Sequence, residues 1–146
     1  MQTEIYTKQA LGINGVISKA ESQYLATIQG VLMADTRIGY GVGFGEQQGE
    51  LVNEGITADN FVGFVVRDGY VNSCETPTET YKQGDTVTII TKGSLFIKSE
   101  IALSQGDSVT IDATGKIVSG GAIETGWRVA IGCEANGVAE ITTQLK

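Results

Sequence analysis

Asp85 and Asp107 are the residues of this 146-residue chain whose types and spacing most suggest chemistry. Each stands in a nearly identical heptad, QGDTVTI at residues 83–89 and QGDSVTI at residues 105–111. Paired carboxylates can act as general acid and base or bind calcium. Each aspartate, however, directly follows a turn glycine, where its side chain can accept hydrogen bonds from nearby backbone N–H groups. We therefore interpret both as turn residues and predict no catalytic site at the repeat.

Other chemical signals are weak. The chain has no histidine, so Ser-His-Asp and Cys-His catalysis and a typical zinc site are excluded. The glycines at 39, 41, 43 and 45 do not form a dinucleotide-binding loop, because Phe44 takes the place of the third glycine and no helix pattern follows. Cys74 and Cys133 are expected to be buried or half-buried thiols, and a disulfide between them stays open. We predict that the protein is not an enzyme and has no cofactor.

The charge of the chain indicates which partners to expect. Seventeen Asp and Glu against ten Lys and Arg give a net charge of -7. Because an acidic surface repels phosphate, no nucleic-acid partner is expected. No segment approaches the run of about 18 apolar residues that a membrane span needs, so no membrane partner is expected either. The N-terminal segment MQTEIYTKQALG lacks the basic and apolar regions of a signal peptide.

The repeat also predicts the fold. Its two copies align at an offset of 22 residues, which pairs Gly93 with Gly115. Each copy has a Gly-Asp turn, a β-branched strand, a second glycine turn and another apolar strand, a pattern typical of a β-hairpin. Between the copies, Ser99 is predicted to cap a single helical turn. We predict an all-β protein, a small barrel or jelly-roll-like sandwich of about seven to nine short strands.

Four other segments support this prediction. In residues 39–45 glycine alternates with Tyr, Val and Phe, so one strand face is bare backbone, which suits a curved strand or close approach of another chain. Residues 61–69, FVGFVVRDG, are typical of a buried strand ended by a turn, and residues 70–83 of a surface loop. Trp127 begins an apolar strand and is assigned to the core. Asn136-Gly137 is a strong hairpin signal.

The first 25 residues differ from the rest. They are predicted to form an extended N-terminal arm with a turn at Asn14-Gly15, and residues 26–146 the β domain. The arm is richer in apolar residues than a solvated tail usually is. We expect it to pack on something beyond its own domain, and the alternative is an edge strand across its own barrel. The apolar residues concerned are Ile5, Tyr6, Leu11, Ile13, Val16 and Ile17.

Together these segments resemble the structural cement, or head decoration, proteins of tailed phages. The opening MQTEIYTKQALGINGVISKAE is similar to the family's arm, TRIGYGVGFG to its first barrel strand, and FVGFVVRD to its apolar strand. The most specific part is YKQGDTVTIITKGSLFIKSEIALSQGDSVTIDATGKI, which matches a Tyr-x-x-Gly-Asp-x-Val … Lys-Gly … Gly-Asp-x-Val … Gly-Lys pattern. The loop at 70–83, with Cys74 and Pro77, departs from the family.

The resemblance implies a virion structural protein with no catalytic residues. Its expected partners are the major capsid protein and, as a homotrimer or dimer, itself. It would bind the outer surface of the assembled head and bridge coat subunits, with the six apolar arm residues as capsid contacts. The alternative function is a phage fibre, tail or cell-surface β module that binds carbohydrate or a receptor, which would cluster exposed aromatic side chains on one face.

Overall fold

The computed structural model describes residues 14–19, 25–67 and 80–143, which form strands and turns and contain no helix, and so none that could cross a membrane. The all-β prediction is confirmed. These residues hold thirteen strands, more than the seven to nine predicted, since strands of two or three residues leave no alternation in the sequence. The strands are β1 (Ile17–Lys19), β2 (Ala26–Leu32), β3 (Thr36–Arg37), β4 (Gly41–Phe44), β5 (Glu50–Val52), β6 (Phe61–Val65), β7 (Thr80–Tyr81), β8 (Thr86–Lys92), β9 (Ser94–Ser99), β10 (Ser108–Ile111), β11 (Ile117–Val118), β12 (Ile123–Ile131) and β13 (Gly137–Thr142).

The strands form two main bodies. Strands β2, β5, β4, β6 and β8 close into a five-stranded barrel in that order, in which only the β2–β5 pair is parallel. Strands β1, β9, β13, β12, β10 and β11 form a six-stranded antiparallel sheet. The short pair β3–β7 lies apart from both and includes the last residues of the predicted loop at 70–83, whose first ten residues are outside the described part.

Strands β6 and β8 join the two bodies because each is buried on both faces. Val65 and Ile89 point into the barrel core, whereas Phe64 and Ile90 pack in a second core against the six-stranded sheet. All four side chains are fully buried. Side chains on a strand alternate between its faces, so one strand can line two cores at once. The nearly continuous apolar run at 61–66 is therefore a strand with no solvent face, as predicted.

Trp127 anchors the second core. Its side chain is 2% exposed, and its ring meets that of Phe64 edge-on, with centroids 5.4 Å apart and planes at 89°. Phe61 adds a second edge-on contact to Phe64 at 5.6 Å. Such pairs contribute about 0.5–1.5 kcal/mol beyond the burial of their area. The assignment of Trp127 to the core is confirmed.

Only the second copy of the repeat is a hairpin. In that copy β10 pairs with β11. In the first copy β8 pairs with β2 and β6 of the barrel, whereas β9 pairs with β1 and β13 of the sheet. The prediction of a hairpin there is wrong. The chain changes body at Gly93, whose φ is 136°.

A single aligned position explains the difference between the copies. Asp112 closes the β10–β11 turn by accepting hydrogen bonds from the backbone N–H of Thr114 and of Lys116, at 2.9 and 3.2 Å, and from the Thr114 hydroxyl at 2.6 Å. At the offset of 22, the first copy has Ile90 at this position. Because Ile90 accepts no side-chain hydrogen bond and is fully buried, β8 continues instead of turning.

The segment between the copies contains no helical turn, so that prediction is also wrong. Ser99 ends β9, and its hydroxyl both donates to the carbonyl of Ile101 at 2.7 Å and accepts from its N–H at 3.2 Å. Leu103 then pairs with Cys133 across an isolated antiparallel bridge. Two backbone hydrogen bonds of 2.9 and 3.0 Å hold that bridge. The sheet thus captures a segment too short to form a stable helix by itself.

The bare face of the glycine strand is covered by the same chain. The N–H of Gly41 donates to the carbonyl of Gly115 at 2.8 Å, and a Cβ on Gly115 would collide with the Gly41 carbonyl oxygen. A Cβ on Gly43 would meet the Asn60 side chain at 2.9 Å. The close approach predicted for this face is therefore made by the protein itself. It brings the barrel against the turn that leads into β11.

We expect Gly115→Ala to lower the free energy of unfolding by about 3 kcal/mol or more. Gly115 has a φ of +87°, which costs an alanine roughly 1–2 kcal/mol, and the collision with Gly41 adds to that cost. Gly106→Ala is the matched control, because its φ is +90° but nothing lies within 4 Å of the added Cβ. Urea unfolding measures both variants, and equal losses would contradict a packed glycine contact between the bodies.

We expect the stabilising effect of Asp112 to depend on pH. Partial burial opposes ionisation, but the hydrogen bonds from Thr114 and Lys116 outweigh it and hold the pKa of Asp112 below its usual value. A lowered pKa contributes stability above the unfolded-state value of about 4, which is lost as pH falls through the folded-state value. The melting-temperature difference between the wild type and Asp112→Asn should therefore be larger at pH 7 than at pH 2.5. A difference independent of pH would contradict this role.

Candidate functional site

Asn14 fastens the predicted arm to both bodies of the fold. Its side-chain amide donates to the carbonyl of Ile38 at 3.1 Å, and its side-chain oxygen accepts from the N–H of Lys98 in β9 at 2.8 Å. Its backbone carbonyl accepts from Nε of Arg67 at 2.7 Å. The Asn14 side chain is 7% exposed. This residue, which the sequence marked only as part of a turn, is the first described residue of the predicted arm.

Gly15 completes this attachment. Its N–H donates to the carbonyl of Phe96 and its carbonyl accepts from the N–H of Arg67, both at 2.7 Å. The predicted turn is confirmed, since Gly15 has a φ of +83°. A Cβ at this position would collide with the side chain of Ile38. Only glycine therefore fits between Ile38 and Arg67.

The predicted capsid-contact residues fall into two groups. Ile5, Tyr6, Leu11 and Ile13 lie outside the described residues. Val16 and Ile17 are half-buried, and Ile17 pairs with Leu95 of β9 and packs against the second core. The strand β1 is thus an edge strand of the protein's own six-stranded sheet, whereas the alternative weighed for the arm placed the edge strand on the barrel. The capsid-contact role of all six residues stays a prediction.

Asp85 and Asp107 have the turn role predicted for them. The carboxylate of Asp85 accepts from the N–H of Lys82 at 2.9 Å, and that of Asp107 from the N–H of Ser104 at 3.0 Å. Both preceding glycines, Gly84 and Gly106, have a φ of +90°. The two copies therefore build the same turn. Both carboxylates are occupied by their own backbone rather than directed at a ligand.

No metal centre is formed by the described residues, among which no cluster of three or more Cys, Asp and Glu occurs. Cys133 is half-buried, and burial raises the pKa of its thiol. Its thiolate fraction near neutral pH is therefore small, which makes it a poor nucleophile. Cys74 lies outside the described residues, so the question of a disulfide stays open.

Few large apolar side chains are exposed among the described residues. Within the described ranges the large ones are Phe44 (54% exposed), Met33, Val31 and Ile131. A carbohydrate site would need exposed aromatic side chains, but Tyr81 is buried and donates to the carbonyl of Val66, and Tyr40 is half-buried beneath Arg37. Tyr6, Tyr24 and Tyr70 lie outside these ranges. The described residues thus give no aromatic platform of the kind that carbohydrate sites use.

A group of charged residues that the sequence did not reveal surrounds a small cleft. Glu100, Arg37 and Lys98 line this cleft, whose volume is about 100 Å³. The carboxylate of Glu100 forms a 2.7 Å ion pair with the ammonium group of Lys116. Arg37 comes from β3, Lys98 from β9 and Lys116 from the turn before β11. Their separation along the chain left no local pattern, because three different elements had to fold together before the charges met.

Nearly the whole chain matches a known protein family. A family model described as "Structural cement protein (E217 gp24/Pam3 gp6)" matches residues 1–144. The match includes the arm, the glycine strand and both copies of the repeat. No protein with a curated description matches the sequence.

Two solved structures share the fold. One is a chain of "The capsid of Myoviridae Phage XM1", with 16% identity, 90% of this chain and 89% of that chain covered, and a TM-score of 0.69. The other is "The crystal structure of head fiber gp8.5 N base in bacteriophage phi29", with 6% identity, 80% and 92% covered, and a TM-score of 0.50. At these identities the likeness concerns the fold alone.

We expect Asn14→Ala to lower the free energy of unfolding by about 2–4 kcal/mol. It leaves the N–H of Lys98 and the carbonyl of Ile38 without their side-chain partner, and each unsatisfied buried group costs about 1–3 kcal/mol. Hydrogen exchange at the Lys98 amide should accelerate with it. Asn53→Ala is the control, because that exposed amide makes a single 2.7 Å bond to the carbonyl of Asp35. Unchanged exchange at Lys98 would contradict the fastening role of Asn14.

Proposed function

The chain belongs to the structural cement protein family of phages, and from that premise we propose that it binds the outside of the assembled head and bridges major capsid protein subunits. Membership of the family makes it a phage virion structural protein. The observation that carries the finer proposal is the extent of the family match, which runs from the arm through the last strand. The fold shared with a chain of a phage capsid supports it.

A cement protein acts by linkage between binding and assembly. A ligand that binds the assembled shell but not the free coat subunit stabilises the shell by RT ln(1 + [L]/Kd). At 100 times Kd this is about 2.7 kcal/mol for each site. A β body with two closely packed apolar cores suits that task, because it resists deformation when neighbouring subunits pull apart. No catalytic group is needed for it.

A homotrimer would strengthen the bridge through multivalency. Once one arm of a symmetric oligomer is bound, the others search a small volume, so the total affinity exceeds that of one site by about 100- to 10,000-fold. This gain requires that the arms can reach several coat subunits at the same time. The attachment at Asn14 and Gly15, which contacts both bodies, would hold the body end of each arm in place.

The arm is the proposed capsid contact. Its apolar residues Ile5, Tyr6, Leu11 and Ile13 precede the attachment, and Val16 and Ile17 follow it. Burying a large apolar side chain contributes about 1.5–3 kcal/mol, so a few of them suffice for binding at each coat subunit. The root of the arm, where Ile17 packs on the core, would then carry load from the lattice into the β body.

The first test is co-sedimentation of the purified chain with emptied, expanded heads and with unassembled coat protein. We expect binding to the heads and little binding to free coat, and a trimer mass for the free protein. Equal affinity for assembled and unassembled coat would contradict the cement mechanism. A monomeric protein that still binds heads would contradict the multivalent bridge while leaving surface binding intact.

The second test addresses the arm. Replacing Ile5, Tyr6, Leu11 and Ile13 together by serine should weaken head binding at least about tenfold, since the apolar area that the coat would bury is lost. The control replaces the polar neighbours Gln2, Thr7 and Gln9 by serine, which keeps the apolar residues and the net charge. Both variants should melt as the wild type does. Equal head binding by the two variants would remove the arm from the interface.

A further inference from the structure

Positive charge is scarce in this protein, so its concentration at one cleft is informative. Ten Lys and Arg are set against seventeen Asp and Glu, yet three of the ten surround Glu100. Counting the three cations Arg37, Lys98 and Lys116 against the two carboxylates Glu100 and Asp112 gives a local charge of +1 in a chain of net charge -7. Concentrated charge of the minority sign steers a partner of opposite charge toward it.

The three cations are not equally available. Lys116 forms a 2.7 Å ion pair with Glu100. The negative charge of Asp112, in the same turn as Lys116, also attracts it. Arg37 and Lys98 are exposed, and neither forms an ion pair with another of the described residues. The guanidinium of Arg37 lies 5.7 Å from the centre of the Tyr40 ring, a contact that positions the group without neutralising it.

The cleft already accommodates one carboxylate, that of Glu100. The hydrogen bond and charge of Lys116 lower the pKa of Glu100, and the charges of Arg37 and Lys98 add to this. All three cations therefore stabilise a negatively charged oxygen at this place. The remaining walls are partly polar and partly apolar, and they consist of Asn14, Asn136, Ile38 and Tyr40.

We propose that this cleft binds a carboxylate side chain of the coat protein, held by Arg37 and Lys98 beside the Glu100–Lys116 pair. The inference rests on the proposed function and adds the chemistry of one contact. A volume of about 100 Å³ admits a side chain and excludes a folded segment. Because Glu100 cancels part of the local charge and the whole chain is acidic, a single carboxylate fits better than the row of phosphates of a nucleic acid.

Asn14 also holds two walls of the cleft together. Asn14 ties β9 next to Lys98 to the segment at Ile38, so Lys98 and Arg37 are held near each other by the residue that fastens the arm. Binding at the cleft and binding through the arm would therefore occur side by side on one surface.

The experiment compares two variants with the same change of charge and of residue types. Arg37→Gln/Lys98→Gln removes the proposed pair, and Lys92→Gln/Arg128→Gln removes one lysine and one arginine that do not line the cleft. Each is titrated with a hexaglutamate peptide by NMR and with emptied heads by co-sedimentation, at 50 and 200 mM salt. We expect the cleft variant to bind both about fivefold to tenfold more weakly at 50 mM salt and to lose most of its salt dependence, whereas the control changes about twofold or less.

A third variant tests the role of Glu100. Glu100→Gln releases Lys116 to the cleft, so hexaglutamate should bind about twofold to threefold more tightly. Tyr40 and Asn136 should show the largest shifts of their amide signals in the wild type, since they line the cleft. Weaker peptide binding by Glu100→Gln, or shifts centred elsewhere on the surface, would overturn the assignment.

The outcomes separate the two proposals. If the wild type prefers assembled heads and the cleft variant binds them as the control does, the carboxylate cleft is wrong and the cement function stands. If no variant, wild type included, prefers heads over free coat, the proposed function fails, and the coat carboxylate fails with it even if the peptide binds. If the cleft variant alone changes the mass of the free protein, the occupant of the cleft is a second copy of this chain. The assignment of the occupant to the coat protein would then be wrong.

Discussion

The burial of strands β6 and β8 on both faces is the constraint on which the rest of the structure depends. Val65 and Ile89 fill the barrel, while Phe64 and Ile90 on the same strands fill the core beneath the six-stranded sheet. If one body were missing, the apolar side chains that these strands direct toward it would be exposed to water, so each body stabilises the other. The two cores are therefore coupled through the same two strands.

Two close contacts also hold the barrel and the six-stranded sheet together. At one, the backbones of Gly41 and Gly115 meet, so the barrel touches the turn before β11 with no side chain between them. At the other, Asn14 binds Ile38 on one side and Lys98 on the other. The second contact borders the cleft of Arg37, Lys98 and Glu100, because Asn14, Ile38 and Lys98 all line it. The proposed surface is thus a product of how the bodies meet.

Predictions from local chemistry succeeded at particular residues. Asp85 and Asp107 bind the backbone of their own turns, Gly15 takes the positive φ that its Asn-Gly turn requires, and β12 and β13 pair across Asn136-Gly137. Each of these turns forms between residues close together in the chain. Two other local predictions failed, because distant parts of the chain supplied the partners: the first copy of the repeat is no hairpin, and Ser99 caps no helix. The charged cleft was not foreseen, because Arg37, Lys98 and Lys116 are neighbours only after folding.

The sequence by itself determined the all-β class, the turns, the apolar strands and the family, because turn hydrogen bonds and strand alternation are local properties of the residues. Tertiary structure decided which strands distant in the chain pair with each other. The aligned positions of Ile90 and Asp112 illustrate the reason. Asp112 folds its strand back through hydrogen bonds to its own turn, whereas Ile90 is held in β8 by apolar contacts from distant parts of the chain. Burial free energy depends on what surrounds a side chain, and only the folded chain supplies those surroundings.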